Sequence, residues 1–115
     1  MRRGEIRLVD LDPVRGSEAN KQRPAVIVSN DRANAAVVRH GRGVVTVVPL
    51  TSNVTRVYPF QTLLAAHETG LPVDSKAQTE QVRSVASERL GTVLGRVPAH
   101  RMTGVDEALR MHLQL

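Results

Sequence analysis

The stretch that most restricts the fold is the apolar run at residues 43–52, GVVTVVPLTS, whose β-branched side chains favour a strand. A second short run at residues 24–29, PAVIVS, has the same character and predicts a strand buried on both faces, with Pro24 as its first residue. Alternation of apolar and polar residues over 4–11 predicts a third, half-buried strand. We therefore expect a chain built mainly from short strands.

Weaker patterns complete the sheet. Residues 56–65, RVYPFQTLLA, predict another strand with an edge or bulge at Pro59, and residues 77–86, AQTEQVRSVA, predict one more pairing segment.

Helical patterns are few. Asn30 or Asp31 is placed to cap a turn or two of helix, and residues 87–91, SERLG, predict a single capped helical turn. An amphipathic C-terminal helix is predicted from one stripe of residues, namely Met102, Val105, Leu109 and His112 or Leu113. The predicted fold class is mainly β or α+β: a small, strongly bent antiparallel sheet or barrel of about five to seven strands, with this helix over its open side.

Composition limits the classes of function. The 115 residues suit one domain, 1–115, and no apolar run approaches the ~20 residues that span a bilayer, so we expect no membrane association. The basic N-terminus lacks an apolar run behind it, which predicts a cytoplasmic protein without a secretory signal. There are no cysteines, which excludes disulfides and thiolate metal sites, and the four histidines lack zinc spacing. We expect neither a metal nor another cofactor.

The charge points to a partner. Lys and Arg number 16 against 11 Asp and Glu, and all but Lys21 and Lys76 of the basic residues are arginine. A guanidinium holds phosphate or carboxylate in a planar fork and stacks on bases, so this choice favours RNA, DNA or an acidic peptide as partner. An arginine-rich solvated surface is the alternative explanation.

The polar loop at residues 12–24, DPVRGSEANKQRP, is the most unusual segment. Loops of this length without secondary structure are uncommon and usually functional or mobile. At its end Arg23 lies immediately before the buried second strand, which would hold its backbone and direct its side chain.

The string RRGEIRLVDLDPVRGSEANKQRPAVIVSN, followed in order by VVPLTS, VYPF and EQVRS, resembles the MazF/PemK family of toxin–antitoxin endoribonucleases. The resemblance implies a compact barrel related to SH3-type barrels and to the CcdB gyrase poisons, usually as a homodimer. It also implies metal-independent, sequence-selective cleavage of single-stranded RNA, whether mRNA, tRNA or rRNA. A cognate MazE-like antitoxin would inhibit it through an acidic C-terminal tail.

The resemblance assigns the catalytic candidates. Arg23 would stabilise charge on the phosphate, and Thr51 would donate its hydroxyl to the same group. Glu18 is the nearest candidate for the general base, although it could equally bind the antitoxin or pair with an arginine. The remaining candidates, assigned to RNA binding, are Ser17, Asn20, Lys21, Gln22, Ser52, Glu80, Gln81 and Arg83.

Two alternatives remain at this level. The segment with Glu80, Gln81 and Arg83 could serve the framework and not RNA. A non-catalytic toxin of the same fold could poison DNA gyrase or bind nucleic acid without cutting it. Because Tyr58 and Phe60 are the only aromatic residues, aromatic base stacking would be scarce and arginine would carry much of the recognition.

Overall fold

A computed structural model of the chain describes residues 1–13, 15–19 and 21–115. The described part contains seven strands, three α-helices and two short 3-10 turns. The strands are β1 Glu5–Asp10, β2 Gln22–Ile27, β3 Val44–Thr51, β4 Gln61–Leu64, β5 Ser75–Gln78, β6 Arg83–Ala86 and β7 Leu90–Arg96. The helices are α1 Asp31–His40, α2 Ala66–Thr69 and α3 Ala99–Leu113, and the 3-10 turns are Thr79–Gln81 and Ser87–Arg89.

All strand pairs are antiparallel, in the order β4-β5-β3-β2-β1-β7 with β6 also on β3. Strand β3 organises the sheet because it changes partner along its length. Its first half, from Val44 to Val47, pairs with β6, and its last residues, Leu50 and Thr51, pair with β5. The sheet is thereby divided in two at β3. The predicted fold class, a mainly antiparallel sheet of five to seven strands with a C-terminal helix, is confirmed.

The core lies on both faces of the sheet because side chains alternate along the central strands. On β3, Val45 and Val47 belong to one cluster, and Val48 and Leu50 belong to the other. Helix α3 covers one cluster and α1 covers the other with Val37. Burying each such aliphatic side chain is worth about 1.5–3 kcal/mol, so the two clusters fix β2 and β3, which carry the candidate site.

Three strand predictions are wrong in extent. Strand β2 begins at Gln22 and not at Pro24, because Gln22 and Arg23 already pair with the end of β1. Residues 56–60 are not part of a strand, because a turn closes before β4: Gln61 N donates to Tyr58 O at 2.8 Å, and Tyr58 N donates to Gln61 Oε1 at 3.1 Å. Residues 77–86 do not form one segment, because the 3-10 turn Thr79–Gln81 separates β5 from β6. Strand β7 was not predicted.

The helix predictions fare better. Asn30 is the cap of α1, since its Oδ1 accepts from Ala33 N at 2.8 Å, although the helix is longer than predicted, at 10 residues. In α3 Met102 and Val105 are buried as predicted. Leu109 is half-buried and packs against the same core, as predicted. Only the end of the stripe is wrong, because His112 and Leu113 are exposed, and the sequence did not predict the buried Ala108. No helix in the described residues is long and apolar enough to cross a membrane.

Candidate active site

A cavity of about 340 Å³ opens where β2 begins and β3 ends. Both leading candidates, Arg23 and Thr51, line it. The register explains why: the ladder between β2 and β3 ends at the pair Ala25 and Pro49, and Arg23 and Thr51 each lie two residues beyond it, at the same end of the antiparallel pair. The other lining residues are Lys21, Gln22, Pro24, Leu50, Ser52, Leu71, Pro72, Val73 and Ser75.

The cavity is cationic. Lys21 and Arg23 are the charged residues among its described lining, which contains no carboxylate. Hydroxyls from Thr51, Ser52 and Ser75 add hydrogen-bonding groups that both donate and accept. Such a lining suits a phosphodiester, whose charge the two cations would offset.

Thr51 has one local contact. Its Oγ1 accepts from Asn53 N at 3.2 Å, which fixes the turn after β3. The hydroxyl proton is not used in that bond, so the same oxygen can donate to a substrate. A turn-capping role and a substrate-binding role are therefore compatible at this residue.

Lys21 holds an unusual backbone conformation at the rim of the cavity. Its φ is 62°, in the left-handed region that residues other than glycine seldom adopt. Two bonds fix it there: Lys21 N donates to Asp12 Oδ1 at 2.8 Å, and Lys21 O accepts from Leu11 N at 3.1 Å. The start of β2, and with it Arg23, is thereby tied to the end of β1.

The predicted base lies elsewhere. Glu18 is exposed and lines a second cavity, of about 290 Å³, with Ala19, Glu80, Gln81, Val82 and Arg83. Its Oε1 accepts from Arg15 N at 2.5 Å, within its own loop. The structure thus brings Arg23 and Thr51 together and places Glu18 in the neighbouring cavity.

Gln81 and Arg83 hold the loop that carries Glu18 in place. Gln81 Oε1 accepts from Ala19 N at 2.9 Å and Gln81 Nε2 donates to Ser17 O at 3.0 Å, so one side chain holds the backbone on both sides of Glu18. Arg83 Nη1 donates to Leu11 O at 3.3 Å, where the loop begins. Both residues make the framework contacts that the sequence left open.

Glu80 is held on one oxygen only. Its Oε2 accepts from Gln61 Nε2 at 2.7 Å, while its Oε1 is buried without a hydrogen-bond partner in the described residues. Of the other candidates, Ser17 is exposed and Gln22 and Ser52 line the first cavity. Asn20 lies outside the described residues. The described residues contain no group of three or more His, Cys, Asp or Glu that could hold a metal.

Three residues in the wall of the first cavity were not predicted from the sequence. Leu71, Pro72 and Val73 lie in the connection between α2 and β5 and complete the first cavity. Their residue types carry no chemical pattern. Only the pairing of β5 with β3, which begins at Thr51 and Lys76, brings the connection next to the site.

The family model for PemK-like, MazF-like toxins of type II toxin–antitoxin systems matches residues 2–113. The chain belongs to this family. The resemblance found in the sequence is therefore confirmed. Endoribonuclease MazF9 of Mycobacterium tuberculosis (strain ATCC 25618 / H37Rv) is 67% identical over 115 residues, which cover 100% of this chain and 98% of the relative.

Solved structures agree in fold. A crystal structure of MazF from Deinococcus radiodurans matches with a TM-score of 0.81 and 26% identity, covering 100% of this chain and 97% of that one. A mycobacterial endoribonuclease in complex with its cognate antitoxin matches with a TM-score of 0.75 and 25% identity, covering 100% and 96%. The fold of this chain is therefore similar to that of an endoribonuclease whose structure was solved in complex with its antitoxin.

Proposed function

We propose that this toxin is a sequence-selective endoribonuclease that cleaves single-stranded RNA without a metal ion and thereby stops translation and growth. The prediction of an endoribonuclease is confirmed at the level of the class, because a relative 67% identical over the full chain carries that name. The chemistry is our proposal. The observation that carries it is the shared cavity of Arg23 and Thr51, whose other charged lining residue is also a cation.

RNA supplies its own nucleophile, the ribose 2′-OH. The 2′ oxygen attacks phosphorus as its proton passes to a base, and the bond from phosphorus to the 5′ oxygen breaks as that oxygen gains a proton. The products are a 2′,3′-cyclic phosphate and a 5′-OH. Arg23 would offset the charge that builds on the nonbridging oxygens, and Thr51 would donate to one of them. A guanidinium stays protonated in proteins and is a poor proton donor, so we assign Arg23 to electrostatic stabilisation.

Glu18 is our candidate for the base. Its carboxylate lies on the loop that leads through Lys21 into the cavity, but it now accepts a hydrogen bond from Arg15 N. Catalysis would require the loop to bring Glu18 to the 2′-OH. Glu18→Gln should then lower kcat, with KM changed little. An unchanged kcat would exclude this role.

RNA would bind at the cationic first cavity and extend towards the second, whose described lining includes Glu18, Glu80 and Arg83. Lys21 and Ser52 would bind phosphates next to the cleaved bond, and Gln22 would contact a base edge or a ribose. Glu80, Gln81 and Arg83 line the second cavity, and we keep them as RNA contacts, with Gln81 and Arg83 also holding the loop. Ser17 and Asn20 stay RNA-binding candidates by their position in the sequence alone.

The partners follow from the same charge. We propose that a cognate MazE-like antitoxin lays an acidic C-terminal tail over the cationic cavity, which blocks RNA by direct competition. We also propose a homodimer in the cytoplasm, where mRNA is the substrate. Analytical ultracentrifugation tests the dimer: a monomer at micromolar concentration would contradict it.

Incubation of the purified protein with a long transcript in excess EDTA tests the function. Primer extension maps the cuts, and mass spectrometry identifies the end groups. We expect cyclic phosphate ends, and Arg23→Ala should reduce the rate by about 10²–10³, the usual effect of removing one oxyanion donor. Arg39→Ala, at an exposed position of α1, is the matched control and should cleave at the wild-type rate. Cleavage by Arg23→Ala at the rate of the control would refute the mechanism.

A further inference from the structure

Lys76 is a buried cation next to the candidate site. It lies on β5, pairs directly with Thr51 of β3 and is 8% exposed. Directly paired residues of antiparallel strands project their side chains to the same face of the sheet, with Cβ atoms about 4.5–5.5 Å apart. The lysine stem therefore starts beside the hydroxyl that we assign to catalysis.

The ammonium of Lys76 has no anionic partner in the described residues, since none of their carboxylate oxygens lies within 4.0 Å of Nζ. Nζ donates instead to Arg56 O at 2.6 Å and lies 5.9 Å from the centroid of the Tyr58 ring. A buried charge without a counter-ion is costly, and an apolar side chain of similar volume is often tolerated as well or better. The ammonium contributes a hydrogen bond to Arg56 O and a cation–π contact with the Tyr58 ring.

Both groups belong to the segment at residues 52–60, which we call the β3–β4 segment because it joins Thr51 to β4. The Arg56 guanidinium carbon lies 5.4 Å from the Tyr58 ring centroid. The Tyr58 and Phe60 rings stack at 5.4 Å with an angle of 4° between their planes. The tyrosine is 41% exposed and Arg56 is exposed, so a guanidinium and an aromatic ring are presented to solvent on the segment that follows Thr51.

Resting on the proposed function, we propose that Lys76 is a positioning residue for RNA: its ammonium fixes the β3–β4 segment so that Arg56 and Tyr58 receive an unpaired base beside the cleaved bond. Base stacking on an aromatic ring is worth about 1–3 kcal/mol per base. Loss of the ammonium should therefore weaken RNA binding while Arg23 and Thr51 keep their contacts. The lysine itself does not touch the reacting atoms.

Lys76→Met tests this because it keeps an unbranched side chain of similar size and removes the ammonium with its charge and its hydrogen bond to Arg56 O. On an RNA that spans a cut mapped with the wild type, KM should rise roughly tenfold and kcat should stay within about twofold. Tyr58 is the single tyrosine and there is no tryptophan, so intrinsic fluorescence reports this segment alone. Acrylamide should quench it more strongly in the variant. Arg39→Met, which removes an exposed charge from α1, should change neither KM nor quenching.

Tyr58→Leu is a second test that does not depend on the folding of Lys76→Met. It should raise KM by a similar factor, and the double variant should add little to either single change. A wild-type KM in Lys76→Met or Tyr58→Leu would overturn the inference, as would a fall in kcat at unchanged KM. If the wild-type protein cleaves no RNA, the proposed function is wrong, and the role of Lys76 that rests on it is excluded as well.

Discussion

Replacement of Gln81 by leucine tests how the loop that carries Glu18 is held. The glutamine makes two hydrogen bonds to loop backbone, from Ala19 N to its Oε1 and from its Nε2 to Ser17 O. Each such bond contributes about 0.5–1.5 kcal/mol net, so the pair should stabilise the closed loop by about 1–3 kcal/mol. Gln81→Leu keeps most of the volume and removes both bonds.

Hydrogen exchange at the Ala19 amide measures the effect directly, because that amide is the donor to Gln81. At 1.4 kcal/mol for each factor of ten, a loss of about 2 kcal/mol should speed its exchange by roughly 30-fold. The amides of β3 should exchange as in the wild type, because the opening is local.

Ser84→Ala is the control, since Ser84 is an exposed neighbour on β6. It should leave the Ala19 amide at its wild-type rate. Equal exchange at Ala19 in Gln81→Leu and wild type would refute the idea that this side chain holds the loop.

Three further changes follow from single contacts. Gly95→Ala should lower the free energy of unfolding by about 1–3 kcal/mol in urea titrations, because an added Cβ would lie 2.2 Å from Thr69 O; wild-type stability would contradict this. The hydrogen bond from Arg101, with a further one from His100, lowers the pKa of Glu68 from its ordinary value of 4.5. The ionised carboxylate therefore stabilises the fold above pH 4.5, and this contribution is lost as the pH falls through the lowered pKa. Stability should therefore drop less in Glu68→Gln than in wild type between about pH 6 and pH 3. Lys21→Ile should lower the free energy of unfolding by about 1–3 kcal/mol, because a β-branched residue adopts the positive φ of this position poorly. Lys21→Gly should fold normally and lose affinity for RNA. Equal free energies of unfolding for the two variants would show that the backbone at residue 21 is not strained.

Much of the fold followed from residue type. The β-branched runs predicted β2 and β3 because those strands are buried on both faces, where such side chains pack best. Strand β7 was missed because it contains Gly91 and Gly95, which weaken any strand signal. Its formation depends on pairing with β1, a contact between residues far apart in the chain.

Only part of the candidate site could be predicted from residue type, namely the part at the ends of β2 and β3. Arg23 and Thr51 lie at strand ends, so their placement follows once β2 and β3 pair. Glu18 lies on a loop whose course depends on Gln81, 62 residues beyond Ala19, and no local pattern reports such a contact. The burial of Lys76 was equally hidden, because a charged residue is expected at the surface.

A double-mutant cycle with Arg23→Ala and Thr51→Val, measured as kcat/KM on one RNA in EDTA, tests most directly whether the two side chains act on one phosphate. We expect the combined loss to be smaller than the product of the separate losses by at least about twofold, because groups that serve one transition state are coupled. Losses that multiply within error, or full activity in either single variant, would contradict it.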